Sequence, residues 1–69
     1  MEREYVRSSN LKSIGYEEEN QILEIEFNHG GVYRYYGIPS NVHDALMSAS
    51  SKGSYFSSYI KNVYRTQKL

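Results

Sequence analysis

The sequence predicts an α+β fold: a three-stranded antiparallel β-meander followed by two short α-helices packed on one face, in the order β-β-β-α-α. Three observations carry this. Residues 22–27, Ile-Leu-Glu-Ile-Glu-Phe, alternate cleanly between faces, with Leu23, Ile25 and Phe27 on one of them. The run 30–39, Gly-Gly-Val-Tyr-Arg-Tyr-Tyr-Gly-Ile-Pro, brackets aromatic and β-branched residues with glycine and proline. Beyond Pro39 the period lengthens, and Val42, Ala45, Leu46 and Ala49 recur at the helical spacing i, i+3, i+4, i+7. A sheet of three strands needs a cover to persist in water, so both helices are expected on its apolar face.

The first strand begins near Leu11, where Ile14 and Tyr16 alternate with Ser13 and Gly15. Glu17-Glu18-Glu19-Asn20 then reads as a solvated turn, with Asn20 suited to the left-handed conformation at its end. After the second strand, Asn28-His29-Gly30 fits a three-residue hairpin loop, a type I turn closed by a left-handed glycine. That loop sets Ile25 opposite Tyr33 and Leu23 opposite Tyr35 on the core face. On the other face Ile22 meets Tyr36, Glu24 meets Arg34 and Glu26 meets Val32. An opposite-charge pair arising where the turn chemistry predicts supports the register independently, because a one-residue slip would turn the tyrosines outward.

Ser40 is a suitable N-cap for the first helix. Ser48 to Ser54 is small, polar and glycine-containing, which breaks the helix, and Tyr55, Phe56, Tyr59, Ile60 and Val63 form a second helical stripe starting after Ser54. Residues 1–7 read as an N-terminal arm and residues 65–69 as a basic C-terminal tail.

Sixty-nine residues make one domain with one thin core. With no cysteine, disulfides and thiolate metal sites are excluded, and the composition suits a reducing, cytoplasmic setting. No apolar stretch approaches the roughly 20 residues that cross a bilayer, and Met1-Glu2-Arg3-Glu4 is too charged for a secretory signal. Formal net charge is zero, which argues against strong binding to a polyanion. The charge is unevenly spread, however. All eight acids lie within residues 1–51, while residues 52–69 hold Lys52, Lys61, Arg65 and Lys68 and no acid.

Catalytic readings fare poorly. His29 falls in the hairpin loop and His43 in the first helix, with neither cysteine nor a histidine at i+4 to build a metal site. The ten serines sit mostly at breaks and caps and form no nucleophile elbow. No catalytic residue, metal or cofactor is therefore expected. Ser51-Lys52-Gly53 is the more promising spot, because a helix N-terminus with free amides, serine hydroxyls and a lysine has the components of an anion site. Lys61 and Arg65 follow at i and i+4 along the same helix if it continues that far.

Ser8-Ser9-Asn10-Leu11, Ile14-Gly15-Tyr16, Leu23-x-Ile25-x-Phe27, Gly31-Val32-Tyr33-Arg34-Tyr35 with Pro39, and Ser51-Lys52-Gly53 followed by Phe56 and Ile60 together resemble the KTSC domain. This small domain is named for its occurrence at the C-terminus of some lysyl-tRNA synthetases and also exists as a stand-alone bacterial protein. The resemblance spans about Val6 to Tyr64, so residues 8–64 are expected to form a single KTSC-like domain, and the family's Tyr-x-Tyr falls on Tyr33 and Tyr35. It implies RNA binding, through the synthetase context. The expectation is a non-enzymatic domain that binds RNA or another single-stranded nucleic acid weakly, chiefly through phosphate. Candidate contacts are Ser8 and Ser9, Arg34 and Tyr36 on the open sheet face, Ser51, Lys52 and Gly53, and Lys61 and Arg65. The alternative is a protein-interaction or homo-oligomerisation module that docks through Ile22, Val32 and Tyr36 on that face.

Overall fold

A computed structural model describes all 69 residues, Met1–Leu69. Seven elements follow one another: β1 (Glu4–Tyr5), β2 (Leu11–Glu17), β3 (Ile22–Phe27), β4 (Val32–Tyr36), α1 (Ser40–Ser48), α2 (Lys52–Tyr59) and β5 (Arg65–Lys68). The strands form one antiparallel sheet in the order β1-β2-β3-β4-β5. The α+β class and the two helices agree with expectation, whereas the three-stranded meander does not, because both ends of the chain add a strand. The N-terminal arm pairs Glu4 with Ile14 and Tyr5 with Ser13. The basic tail pairs Tyr33 with Lys68 through Tyr36 with Arg65, and the Thr66 hydroxyl donates to the Arg34 carbonyl at 2.9 Å. Neither segment has an apolar alternation to announce it. They become strands because β2 and β4 would otherwise present unpaired backbone edges.

The β3–β4 register is the expected one in every pair, from Ile22 opposite Tyr36 to Glu26 opposite Val32. The loop that sets it is closed as expected, by the Gly30 amide donating to the Phe27 carbonyl, with Gly30 at φ 105°. In the preceding turn the left-handed residue is Gln21 (φ 56°), one position beyond Asn20, whose side-chain amide instead donates to the Glu17 carboxylate at 2.8 Å. A bulge between Leu11 and Ser13 resets β2, so Leu11 and Ile14, three positions apart, both point inward.

One core holds Leu11, Ile14, Leu23, Ile25, Phe27 and Tyr35 from the sheet, Ile38 from the connection, Leu46 from α1, and Phe56 and Ile60 from α2 and its cap. Phe56 anchors α2, meeting the rings of Phe27 and Tyr35 edge-on at 5.5 and 5.3 Å. The second helix differs from expectation at both ends. It begins at Lys52, because the Ser51 hydroxyl caps the Ser54 amide, and it stops at Tyr59. The amides of Ile60 and Lys61 both turn back to the Phe56 carbonyl, which redirects the chain toward β5 and leaves Tyr59 and Val63 exposed. In α1 the cap position is Pro39, one residue before Ser40, with no side-chain capping bond. No helix is long and apolar enough to cross a membrane.

Candidate functional site

The nine residues singled out in the sequence do not share one surface. Strand alternation sends Tyr33 and Tyr35 toward the helices, so Arg34 and Tyr36 lie on the opposite, outer face of the sheet. There they are already engaged. Glu24, only 4% exposed, is held by Arg34 at 2.9 Å and by Arg3 from the N-terminal arm. Burial by itself would raise the Glu24 pKa, but hydrogen bonds and charge from Arg34 and Arg3 outweigh it and hold the carboxyl below its ordinary value. The reciprocal hydrogen bond raises Arg34. Arg3 also reaches the Ser13 hydroxyl at 3.0 Å, and that hydroxyl donates to Glu26. Tyr36 donates to the Gln67 side chain at 2.7 Å while the Arg65 guanidinium lies 5.3 Å from its ring centroid. The guanidinium therefore covers one face of the Tyr36 ring. The open sheet face is thus a knitted polar surface, with Ile22, Val32 and Tyr36 half-buried around it.

Gly15 is what lets the arm reach it. A Cβ on Gly15 would come within 2.6 Å of the Glu2 carbonyl oxygen and 3.0 Å of the Arg3 side chain. Only a residue without a side chain allows the arm to cross β2 so closely.

The other candidates gather along α2. Ser8 and Gly53 meet where the β1–β2 connection passes the start of the helix, and a Cβ on Gly53 would stand 3.4 Å from the Ser8 hydroxyl and 3.6 Å from the Asn10 amide. The Ser8 hydroxyl accepts from the Asn10 and Leu11 amides, which fixes this loop. Ser9, Asn10, Ser51, Gly53, Ser54 and Ser57 line a shallow polar concavity here. Capping by Ser51 uses the Ser54 amide and leaves those of Lys52 and Gly53 without an intrahelical acceptor. Lys52 itself departs from the expected role, because its ammonium turns back to the Ala49 carbonyl at 3.3 Å and caps the end of α1.

One turn further along, Asn10 and Ser57 also border a second concavity, a groove of about 420 Å³ between α2 and the β3–β4 hairpin. Phe27, Tyr33, Tyr35 and Phe56 form its apolar wall, and Lys61, Asn62, His29 and Thr66 its rim. Burial pushes the Tyr35 phenol up, a hydrogen bond with Thr66 opposes this, and Tyr33 adds to it. His29, exposed in the hairpin loop, stacks parallel on Phe27 at 5.4 Å. The sequence reading missed Asn10, His29, Tyr33 and Asn62 as wall and rim of a groove. One signal was available: Gly53 and Ser57 stand four residues apart and so fall on one side of the helix, and Lys61 follows at the same spacing just past its end.

Charge separates this side from the rest. No carboxylate lines either concavity beside α2. A wider depression of about 800 Å³ between the arm and α1 is bordered by Glu2, Glu4, Glu18 and Asp44. There His43 stacks on Tyr16 at 4.3 Å, so it is part of a packed pair and not a free surface residue. Burial raises the Tyr16 phenol, and the charges of Glu18 and Asp44 add to the effect.

Comparison with known proteins agrees with this architecture. The chain is 46% identical over 61 residues to an uncharacterized protein of Stutzerimonas stutzeri (strain A1501), covering 88% of this chain and 86% of that one. It is 39% identical over 59 residues to a lysine–tRNA ligase of Nostoc punctiforme, covering 86% of this chain but only 10% of the ligase. A crystal structure of a KTSC domain protein from Yersinia pestis superposes with a TM-score of 0.96 at 43% identity, covering 99% of this chain and 96% of that one. The KTSC domain model matches residues 7–64, and the chain belongs to the KTSC domain family.

Proposed function

We propose that this domain is a non-enzymatic, cytoplasmic binding module that takes up single-stranded RNA weakly along the acid-free side of α2. The observation that carries the reading is charge segregation. In a chain of zero net charge with eight acids, the two adjoining concavities at Ser9–Asn10 and at Lys61 contain no carboxylate. An anionic chain meets least repulsion there, and backbone amides, serine hydroxyls and Lys61 offer donors to phosphate oxygens. Relatedness to a segment of lysine–tRNA ligases, enzymes named for acting on a tRNA, points the same way.

Ser8, Ser9, Ser51, Gly53 and Lys61 remain the proposed contacts. Arg34, Tyr36 and Arg65 are set aside because they serve the outer face. So few free cations make a weak complex, with one or two phosphates neutralised and a slope of log K on log salt of about −0.7 for each. An NMR titration with tRNA, single-stranded RNA and single-stranded DNA at two salt concentrations tests this. Shifts confined to the loop at Ser8–Asn10 and to α2, weakening with salt, are expected.

The alternative, docking of a protein or a second copy on the outer sheet face, has the half-exposed Ile22, Val32 and Tyr36 in its favour. It would appear as a salt-insensitive increase in mass by sedimentation, with shifts at those three residues.

A further inference from the structure

We infer that the groove between α2 and the β3–β4 hairpin is a base-binding subsite, which takes one unstacked nucleobase of the single-stranded RNA against the His29–Tyr33 wall. This rests on the RNA-binding reading above and goes beyond its phosphate contacts.

Shape and lining favour such an occupant. A groove of about 420 Å³ lies within the usual range of small-ligand sites, roughly 300 to 1,000 Å³. Its wall is aromatic, but the rings inside it already meet one another edge-on, Phe27 with Tyr33 at 5.4 Å and Phe27 with Phe56 at 5.5 Å. They are spoken for. His29 differs: it sits in the hairpin loop, stacks on Phe27 and is itself exposed at the rim of the groove. Tyr33 beside it is only half-buried. A planar base can therefore extend a stack that the protein has already begun, which is how single-stranded nucleic acid is commonly held.

The polar rim has matching chemistry. The amides of Asn10 and Asn62 each offer a donor and an acceptor, as the edge of a base requires, and Lys61 supplies a cation for a flanking phosphate. No acid lines the groove to oppose that phosphate. Geometry also connects the subsite to the phosphate contacts. Asn10 and Ser57 border both concavities, so one strand can pass from the phosphate contacts at the start of α2 into the groove. A purely aliphatic ligand would leave the rim amides and Lys61 unpaired, and a divalent cation would find no carboxylate.

The test compares oligonucleotides with equal numbers of phosphates. Hexamers of adenylate and of uridylate are titrated against an abasic ribose-phosphate hexamer, with the aromatic and amide resonances of the full chain as readout. The base-bearing strands are expected to bind about 5- to 100-fold tighter than the abasic one and to shift the His29 and Tyr33 rings. His29→Ala lies in an exposed loop and should keep the fold. It is expected to remove most of that difference and leave the salt slope unchanged, whereas Lys61→Ala should reduce the slope by about 0.7 and retain the difference. Equal binding of abasic and base-bearing strands overturns the subsite and leaves the phosphate reading standing. Shifts confined to Arg34, Tyr36 and Arg65 overturn it by moving RNA to the other face. Absence of any shift with all three strands overturns the subsite and the RNA reading together.

Discussion

Tyr35 and Glu24 lie on adjacent strands and face opposite sides of the same sheet, and each is buried for a different reason. Tyr35, 5% exposed, packs its ring edge-on against Phe56 and links the sheet to α2. Tyr35→Ala is expected to cost about 3 to 5 kcal/mol, most of the stability available to so small a domain, and thermal melting measures it. A melting temperature equal to the parent's would contradict the packing described. Glu24 is buried on the outer face only because Arg3 and Arg34 close over it. Its carboxyl is held below the ordinary value of 4.5, so its contribution to stability is present above that pH and is lost as pH falls through the lower, folded value. Glu24→Gln should therefore flatten the acid limb of the stability curve below about pH 4.5. Urea melts of parent and variant between pH 3 and 7 check it, and parallel curves would exclude the linkage.

At the scale of elements, the two terminal segments act as the edges of the sheet. The arm depends on Gly15, where a Cβ would meet the Glu2 carbonyl oxygen at 2.6 Å. Gly15→Ala is expected to lift the arm and cost about 1 to 3 kcal/mol. Because lifting the arm also removes Arg3 from Glu24, Gly15→Ala and Arg3→Ala should be less than additive in a double-mutant cycle. Simple additivity would mean that the arm and the ion pair are independent. The strand at the other edge, β5, forms four residue pairs with β4, and the Leu69 amide adds a bond to the Val32 carbonyl. Truncation after Tyr64 is expected to lose on the order of 3 kcal/mol, at about 1 kcal/mol for each ladder bond. It should also leave β4 as an exposed edge prone to self-pairing, which sedimentation would reveal as association. Residues 65–68 complete the sheet although they lie beyond the span 7–64 matched by the family model.

Across the whole molecule, the acids line the arm, the β2–β3 turn, the outer face and α1, while the side along α2 has none. Arg34→Ala and Arg65→Ala are accordingly expected to leave RNA affinity and its salt slope unchanged, since both residues are engaged on the outer face. Lys52→Ala should loosen the junction of α1 and α2 through the lost contact with Ala49 and change the slope less than Lys61→Ala does. Filter-binding isotherms at several salt concentrations rank the four variants. A larger effect from Arg34 than from Lys61 would put the binding surface on the other face.

The local features were legible in the residues alone. Alternation in Ile22–Phe27 and the geometry of Asn28-His29-Gly30 were enough to pair β3 with β4 residue by residue, because strand period and turn type are short-range properties. The helical stripes identified Leu46, Phe56 and Ile60 as core for the same reason. The role of the chain ends, by contrast, emerges from long-range pairing. Glu4–Tyr5 and Arg65–Lys68 have no apolar alternation, and each becomes a strand through backbone bonds to a neighbour distant in sequence. The same holds for the site. Tyr36 read as free because its partner Gln67 lies 31 positions away, and the Glu24–Arg34 pair read as open because Arg3, which also binds Glu24, lies 21 positions from it. The groove became visible only once α2 had docked on Phe27 and Tyr35, since a concavity belongs to the packing of elements and to none of them alone.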